Sequence, residues 1–164
     1  MAPPIVLKVG ETETKHTHVE VLNSFFGAHL APGGHQRVFY PLEADAAQVW
    51  FPVFCEEASV DARVMERFKK TGWANVLSEN GTRLTETLLA REDDTSDRAR
   101  MARKLETLEK YPTLIVFGHD IGGKTEGYRF LGCFRHVRES GAEGDAKPFT
   151  LVYERVSETY EAKA

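Results

Sequence analysis

Cysteine is scarce in this sequence, with two in 164 residues, Cys55 and Cys133. That count excludes a disulfide framework, and no cysteine pair has the spacing of a zinc site. Both thiols lie in apolar, strand-like contexts and are expected to be reduced and buried. Long apolar runs are also missing. None approaches the roughly 20 residues that cross a bilayer, so no membrane partner is expected. The N-terminal "MAPPIVLKVG" has no positively charged region and only a short apolar stretch. No secretory signal is therefore expected, and a cytoplasmic location follows. There is no internal repeat, no low-complexity tract and no dividing linker, which predicts a single domain over residues 1–164. Ser24, Ser59, Ser78, Ser96, Ser140 and Ser157 all lack nucleophile-elbow glycines, so acyl-transfer chemistry has no support.

What is present is ordinary for one globular core: 41% hydrophobic and 28% charged residues. The net charge of −4 gives no long-range pull toward nucleic acid. A local basic face can still do what the average hides.

Periodicity sets the element order. "PIVLKV" reads as a strand. In "THVEVLNSFFGAH", Thr17 and Glu20 have capping-box spacing, Val21, Leu22, Phe25 and Phe26 share a face, and Gly27 is a stop. "QRVFYPL" and "VWFPVF" read as strands, with Pro52 favouring an edge or a bulge in the second. "SVDARVMERFKKTGW" is a helix with Val60, Val64, Met65 and Phe68 on one face, ended by Gly72. Asn80-Gly81 predicts a hairpin turn with positive φ at both central residues. "DTSDRARMARKLETLEKYP" is a third helix, stopped by Pro112, and "TLIVF", "YRFLGCFRHVRE" and "FTLVYERV" close the chain as strands. This order is α+β: an antiparallel sheet or small β-barrel with three flanking helices.

Gly118-x-x-x-x-Gly123-Lys124-Thr125 matches the phosphate-binding P-loop pattern letter for letter. A P-loop works because its Lys and Thr open a helix whose free N–H groups face the phosphates. Here Gly127 follows, and then Tyr128, Phe130, Gly132 and Phe134 alternate with Arg129, Leu131, Cys133 and Arg135. That is the period of a strand. The stretch "GHDIGGKTEG" is therefore expected to join two strands, and no nucleotide cofactor follows from it.

Other chemistry is sparse. His16 and His18, with His29 or His35, could be metal ligands, but Thr17 between them is already a helix cap and no metal is expected. Cys133 is expected to be a small core residue rather than a nucleophile. Arg98, Arg100, Arg103 and Lys104 make the start of the third helix basic, where the helix dipole favours acids. A phosphate backbone is one compensating partner, with Lys124 as a further contact. Tyr40, Trp50, Trp73 and Tyr128 flank strand ends or turns and are candidates to stack on a planar ligand. Asn75 and Asp120 are candidates to read its edge.

In "YRFLGCFRHVRESGAEGDAKPFTLVYERV", Tyr128, Gly132 and Phe134 form an aromatic-x-x-x-Gly-x-aromatic strand, and Phe149, Leu151 and Arg155 form a second. This pair resembles the C-terminal strands of PUA-like domains, above all the SRA branch that reads modified cytosine. The resemblance implies a barrel that encloses a base flipped out of duplex DNA. It further implies a module that recognises, while a separate nuclease or methyltransferase partner does the chemistry. No catalytic constellation, cofactor or metal is expected. Two other classes stay open: a small protein-binding inhibitor or immunity-type factor, and an enzyme using His119, Asp120 or Cys133.

Overall fold

The fold is seen in a computed structural model that describes residues 4–35, 37–89, 94–122, 126–140 and 149–162, with backbone alone at 94–96 and 140. In chain order the elements are β1 (Ile5–Lys8), α1 (His18–Phe26), β2 (Phe39–Leu42), β3 (Ala47–Trp50), β4 (Val53–Glu56), α2 (Ala62–Thr71), β5 (Trp73–Leu77), β6 (Arg83–Leu88), α3 (Asp94–Lys110), β7 (Thr113–Asp120), β8 (Arg129–Ser140), β9 (Thr150–Ser157) and β10 (Thr159–Ala162).

Six of the strands, β7-β4-β5-β6-β9-β8, close into a barrel, because β7 pairs with β8 as well as lying beside β4. Closure leaves no open edge around this ring. The pairing is mixed: β4 runs parallel to both β5 and β7, and the remaining neighbours are antiparallel. Parallel neighbours need a crossover, and α2 supplies the one from β4 to β5. The segment expected as one strand, "VWFPVF", is two. β3 pairs with the first half of β7 and β4 with its second half, interrupted at Phe51-Pro52. Proline has no N–H to give a ladder, yet its carbonyl accepts from His119 N.

Alternation sorts the side chains. Phe54, Leu77, Leu84, Leu88, Leu114, Val116, Leu131, Phe134, Leu151 and Tyr153 come from all six barrel strands and form one cluster, the barrel interior, which Met101 and Leu108 of α3 join. The outer faces are covered in two places. Val21 and Leu22 of α1 and Leu7 of β1 pack on Val49, Ile115, Phe117 and Phe130. Val64 and Phe68 of α2 pack on Cys55, Ala74 and Ile121.

The local signals explain where the elements start and stop. Thr17 Oγ1 accepts from Glu20 N, and Glu20 answers by accepting from His16 N, one residue before the cap. Helices α1 and α2 end at Gly27 and Gly72. The β5–β6 connection differs from expectation: only Gly81 has positive φ, at +73°, and Asn80 does not. The loop is longer than a two-residue turn, and Asn80 Oδ1 instead accepts from Thr82 N and Ser78 Oγ.

The sequence pattern around Gly132 has a steric cause. Gly132 sits at φ +117°, and a Cβ there would fall 2.6 Å from Arg155 Cδ and 2.9 Å from Ser157 O. Two of the six residues that carried the family likeness, Gly132 and Arg155, are in contact across β8 and β9. Tyr128 pairs with Lys15, and β8 starts at Arg129 and runs extended with no helix opening there. The strand before it reaches Asp120, so Gly118, His119 and Asp120 belong to β7 and not to the connection. Gly123, Lys124 and Thr125 lie outside the described residues.

Candidate functional site

The third helix lies over the barrel and leaves a cavity of about 390 Å³ beside it. Its walls are Trp50 of β3, Trp73 of β5, Leu114 of β7, Tyr153 of β9 and, from α3, Arg100, Arg103, Lys104, Thr107 and Leu108. Val38, Phe39 and Gln48 complete the rim. The volume is within the range of small-molecule sites, and the mix of aromatic walls with a few polar groups is theirs as well.

Behind this lining, the inner face of β5 and β6 carries buried polar groups. Strands β5 and β6 pair in a register that sets Trp73 opposite Leu88, Asn75 opposite Glu86 and Leu77 opposite Leu84. Leu77, Leu84 and Leu88 point into the barrel, so Asn75 and Glu86 occupy inward-facing positions of the same alternation. Glu86 is 2% exposed. Its Oε1 accepts from Tyr153 Oη at 2.7 Å and lies 2.6 Å from Lys104 Nζ. Burial, and then the neighbouring Glu86 carboxylate, hold the Tyr153 phenol well above its usual range. Tyr153 is therefore a neutral donor to Glu86 throughout the physiological range. Lys104 Nζ stands 4.4 Å from the Trp73 ring centre and 5.5 Å from that of Trp50. Trp50 and Tyr153 rings meet at 5.0 Å. Asn75 donates through Nδ2 to Val53 O at 3.0 Å, while its buried Oδ1 has no partner among the described residues. An unpaired buried carbonyl is costly and marks a place where a ligand donor would be welcome.

The sequence-derived candidates divide among three places. Trp50 and Trp73 line the cavity together with Arg100, Arg103 and Lys104, and Asn75 lies on the same inner face two residues after Trp73. Lys104 is turned inward onto Glu86, with its side chain 23% exposed. Arg98 is half-buried on the same helix. Arg100 lies 3.7 Å from the buried Asp97. Tyr128 lies elsewhere, on a hollow of about 330 Å³ bounded also by His16, His18, Gly33 and His35, and Tyr40 lies behind it against His35. There His18 stacks on Phe51 at 4.1 Å, Tyr128 meets His18 edge-on at 4.8 Å, and Tyr40 meets His35 at 5.5 Å. Burial, and secondarily His35, lower the His18 pKa from its ordinary 6.5. Asp120 is in a third place, buried at the end of β7, where its Oδ1 accepts from Gly122 N and its Oδ2 has no partner among the described residues. Lys124 lies outside the described residues.

Two residues of this buried polar group, Glu86 and Tyr153, were not singled out from the sequence. A signal for Glu86 existed: in "RLTETL", a glutamate takes the register of Leu84 and Leu88, and an acid on the buried face of a strand calls for a function or a partner. Among the described residues no group of three or more His, Cys, Asp or Glu could hold a metal ion. Cys133 is buried, and burial pushes its thiol up to about 11, which leaves it unreactive.

Comparison with known proteins adds to this geometry. A family model, the SET and RING associated (SRA) domain, matches residues 11–162. Among solved structures, the 5-hydroxymethylcytosine-specific restriction enzyme AbaSI superposes with a TM-score of 0.62 at 19% identity. The alignment covers 97% of this chain and 43% of the AbaSI chain, so this chain spans less than half of that enzyme. Among curated proteins none matches.

Proposed function

This chain belongs to the SET and RING associated (SRA) domain family, whose fold implies binding of modified bases in DNA, and from that premise we propose that its reading pocket is the Trp50–Trp73 cavity. A base extruded from the duplex would stack on Trp73, as aromatic platforms stack nucleobases generally. Glu86 would accept from the exocyclic amine of the base, and Asn75 Oδ1, without a partner among the described residues, would accept from a second donor on the base or its substituent. A carboxylate at that position favours an amine-bearing base such as cytosine over thymine, which presents a carbonyl oxygen there. Because AbaSI is a 5-hydroxymethylcytosine-specific enzyme, 5-hydroxymethylcytosine is the first base to test. Arg100 and Arg103 on the cavity rim, with Arg98 and Lys124, would hold the phosphate backbone.

In this reading the chain recognises and does no chemistry. Cleavage or modification would belong to a partner carrying a catalytic unit, as suits a chain that aligns with 43% of a restriction enzyme. The single observation that carries the reading is the buried Glu86, in register with Asn75 and linked through the Lys104 ammonium to the face of Trp73. The experiment is fluorescence anisotropy with duplexes that differ only in one base: cytosine, 5-methylcytosine or 5-hydroxymethylcytosine. Binding favouring a modified duplex, and lost on Trp73→Ala, supports it. Equal affinity for all three duplexes, or no binding at low salt, overturns it.

A further inference from the structure

The space between the tryptophans is not empty of charge. Lys104 reaches down from α3 so that its ammonium lies over the Trp73 ring, within reach of Trp50, and in an ion pair with Glu86 at 2.6 Å. Two of these are groups that a flipped base would use, the Trp73 indole face for stacking and the Glu86 carboxylate for its amine. A cation over an indole and a buried ion pair are each favourable, and they are mutually compatible here because one atom, Nζ, makes both. A planar base cannot lie against Trp73 while that ammonium stays within 4.4 Å of the ring centre.

We infer that Lys104 is an internal competitor for the base pocket, a resident stand-in for the ligand's amino group that any base must displace. This deepens the reading of the cavity as a base pocket and rests on it. The side chain is 23% exposed and rooted on the helix at the cavity rim, so it has a route out to solvent without unfolding of the barrel. Displacement sets a threshold. A base that offers an amine to Glu86 replaces what the carboxylate loses when Lys104 leaves. A base that offers a carbonyl leaves a buried carboxylate without a donor from above. Lys104 therefore determines both affinity and the minimum chemistry of the ligand, and it differs in this from Arg100 and Arg103, which share its helix. A plug in place nine-tenths of the time lowers apparent affinity about tenfold.

The test uses the full chain with a duplex carrying one 5-hydroxymethylcytosine and a matched cytosine duplex. Lys104→Ala removes the arm, keeps a good helix former and lets water reach Glu86. The expected result is binding about tenfold tighter than wild type, with the dependence on salt unchanged. Equal or weaker binding overturns the inference, and weaker binding with a salt slope reduced by about one identifies Lys104 as a phosphate contact instead. A second measurement needs no altered pocket: in wild-type protein with ¹³C-labelled lysine, the Lys104 ε-methylene protons, assigned with Lys104→Arg, should be shifted upfield by the indoles and should lose that shift when the duplex saturates. Retention of the shift at saturation overturns the inference while leaving the base reading intact. If neither wild type nor Lys104→Ala binds any modified duplex, the base reading itself fails and takes the inference with it.

Discussion

Two hollows in this protein are lined by aromatic rings, and they differ in what lies beneath the rings. The one beside α3 has Trp50, Trp73 and Tyr153 next to a buried carboxylate paired with a lysine, and on the same inner face an amide oxygen with no partner among the described residues. The one beside α1 has His18, His35 and Tyr128 packed on Phe51, with an apolar cluster behind them. The volumes are close, about 390 and 330 Å³. Aromatic content therefore does not distinguish a reading pocket from a packing motif. Polar groups held in the buried register of a strand do, because such groups are stable there only with a partner, and a ligand can be that partner.

The contrast can be broken most forcefully at Trp73. Base–aromatic stacking contributes about 1–3 kcal/mol, so Trp73→Ala should weaken binding to a 5-hydroxymethylcytosine duplex by roughly 5- to 150-fold. Anisotropy titration checks this, and an unchanged Kd would move the pocket elsewhere. Next in size is Glu86→Gln. It should cut the preference for cytosine-type over thymine-type bases by about tenfold, within the 1–3 kcal/mol of one specific polar contact. The ratio of the two affinities is the readout, since a general loss of fold lowers both alike. Third is Arg103→Ala on the cavity rim. It should weaken binding to modified and unmodified duplexes equally and reduce the slope of log K against log salt by about one.

The histidine hollow sharpens the comparison from the other side. The His18 pKa is lowered, mainly by burial, so the folded state favours neutral His18. The stability this gives is present above the ordinary value of 6.5 and is lost as pH falls through the lower folded-state value. Thermal melts of the wild type should therefore lose midpoint temperature below about pH 6.5, and His18→Phe should flatten that loss. The smallest effect belongs to Tyr40→Leu and Tyr128→Leu, which should leave base affinity unchanged. A large loss in either would reverse the assignment of the two hollows.

Much of the fold could be read from the sequence because its signals are local. The helix caps at Thr17 and Gly27, the stop at Pro112 and the period-two run after Tyr128 all act over a few residues. Closure of the barrel could not be read this way, since it depends on β7 pairing with β3, β4 and β8 across long stretches of chain. The SRA-like strand pair was legible for a steric reason, the contact between Gly132 and Arg155. The candidate site was half legible. Trp50, Trp73 and Asn75 with the basic face of α3 could be singled out by residue type, but Tyr40, Tyr128 and Asp120 share those types and lie elsewhere. Strand placement separates the two groups, and the β5–β6 register sets Asn75 opposite Glu86 on the inner face. That register depends on a loop longer than the Asn-Gly pair alone suggests.

The chain has two tryptophans, and both line the proposed pocket. Their emission during titration with a 5-hydroxymethylcytosine duplex, followed alongside anisotropy, therefore reports on this cavity alone. The account predicts a saturable change in emission that tracks binding and is absent with the matched cytosine duplex at the same concentrations. Tight binding by anisotropy with no change in tryptophan emission would contradict it.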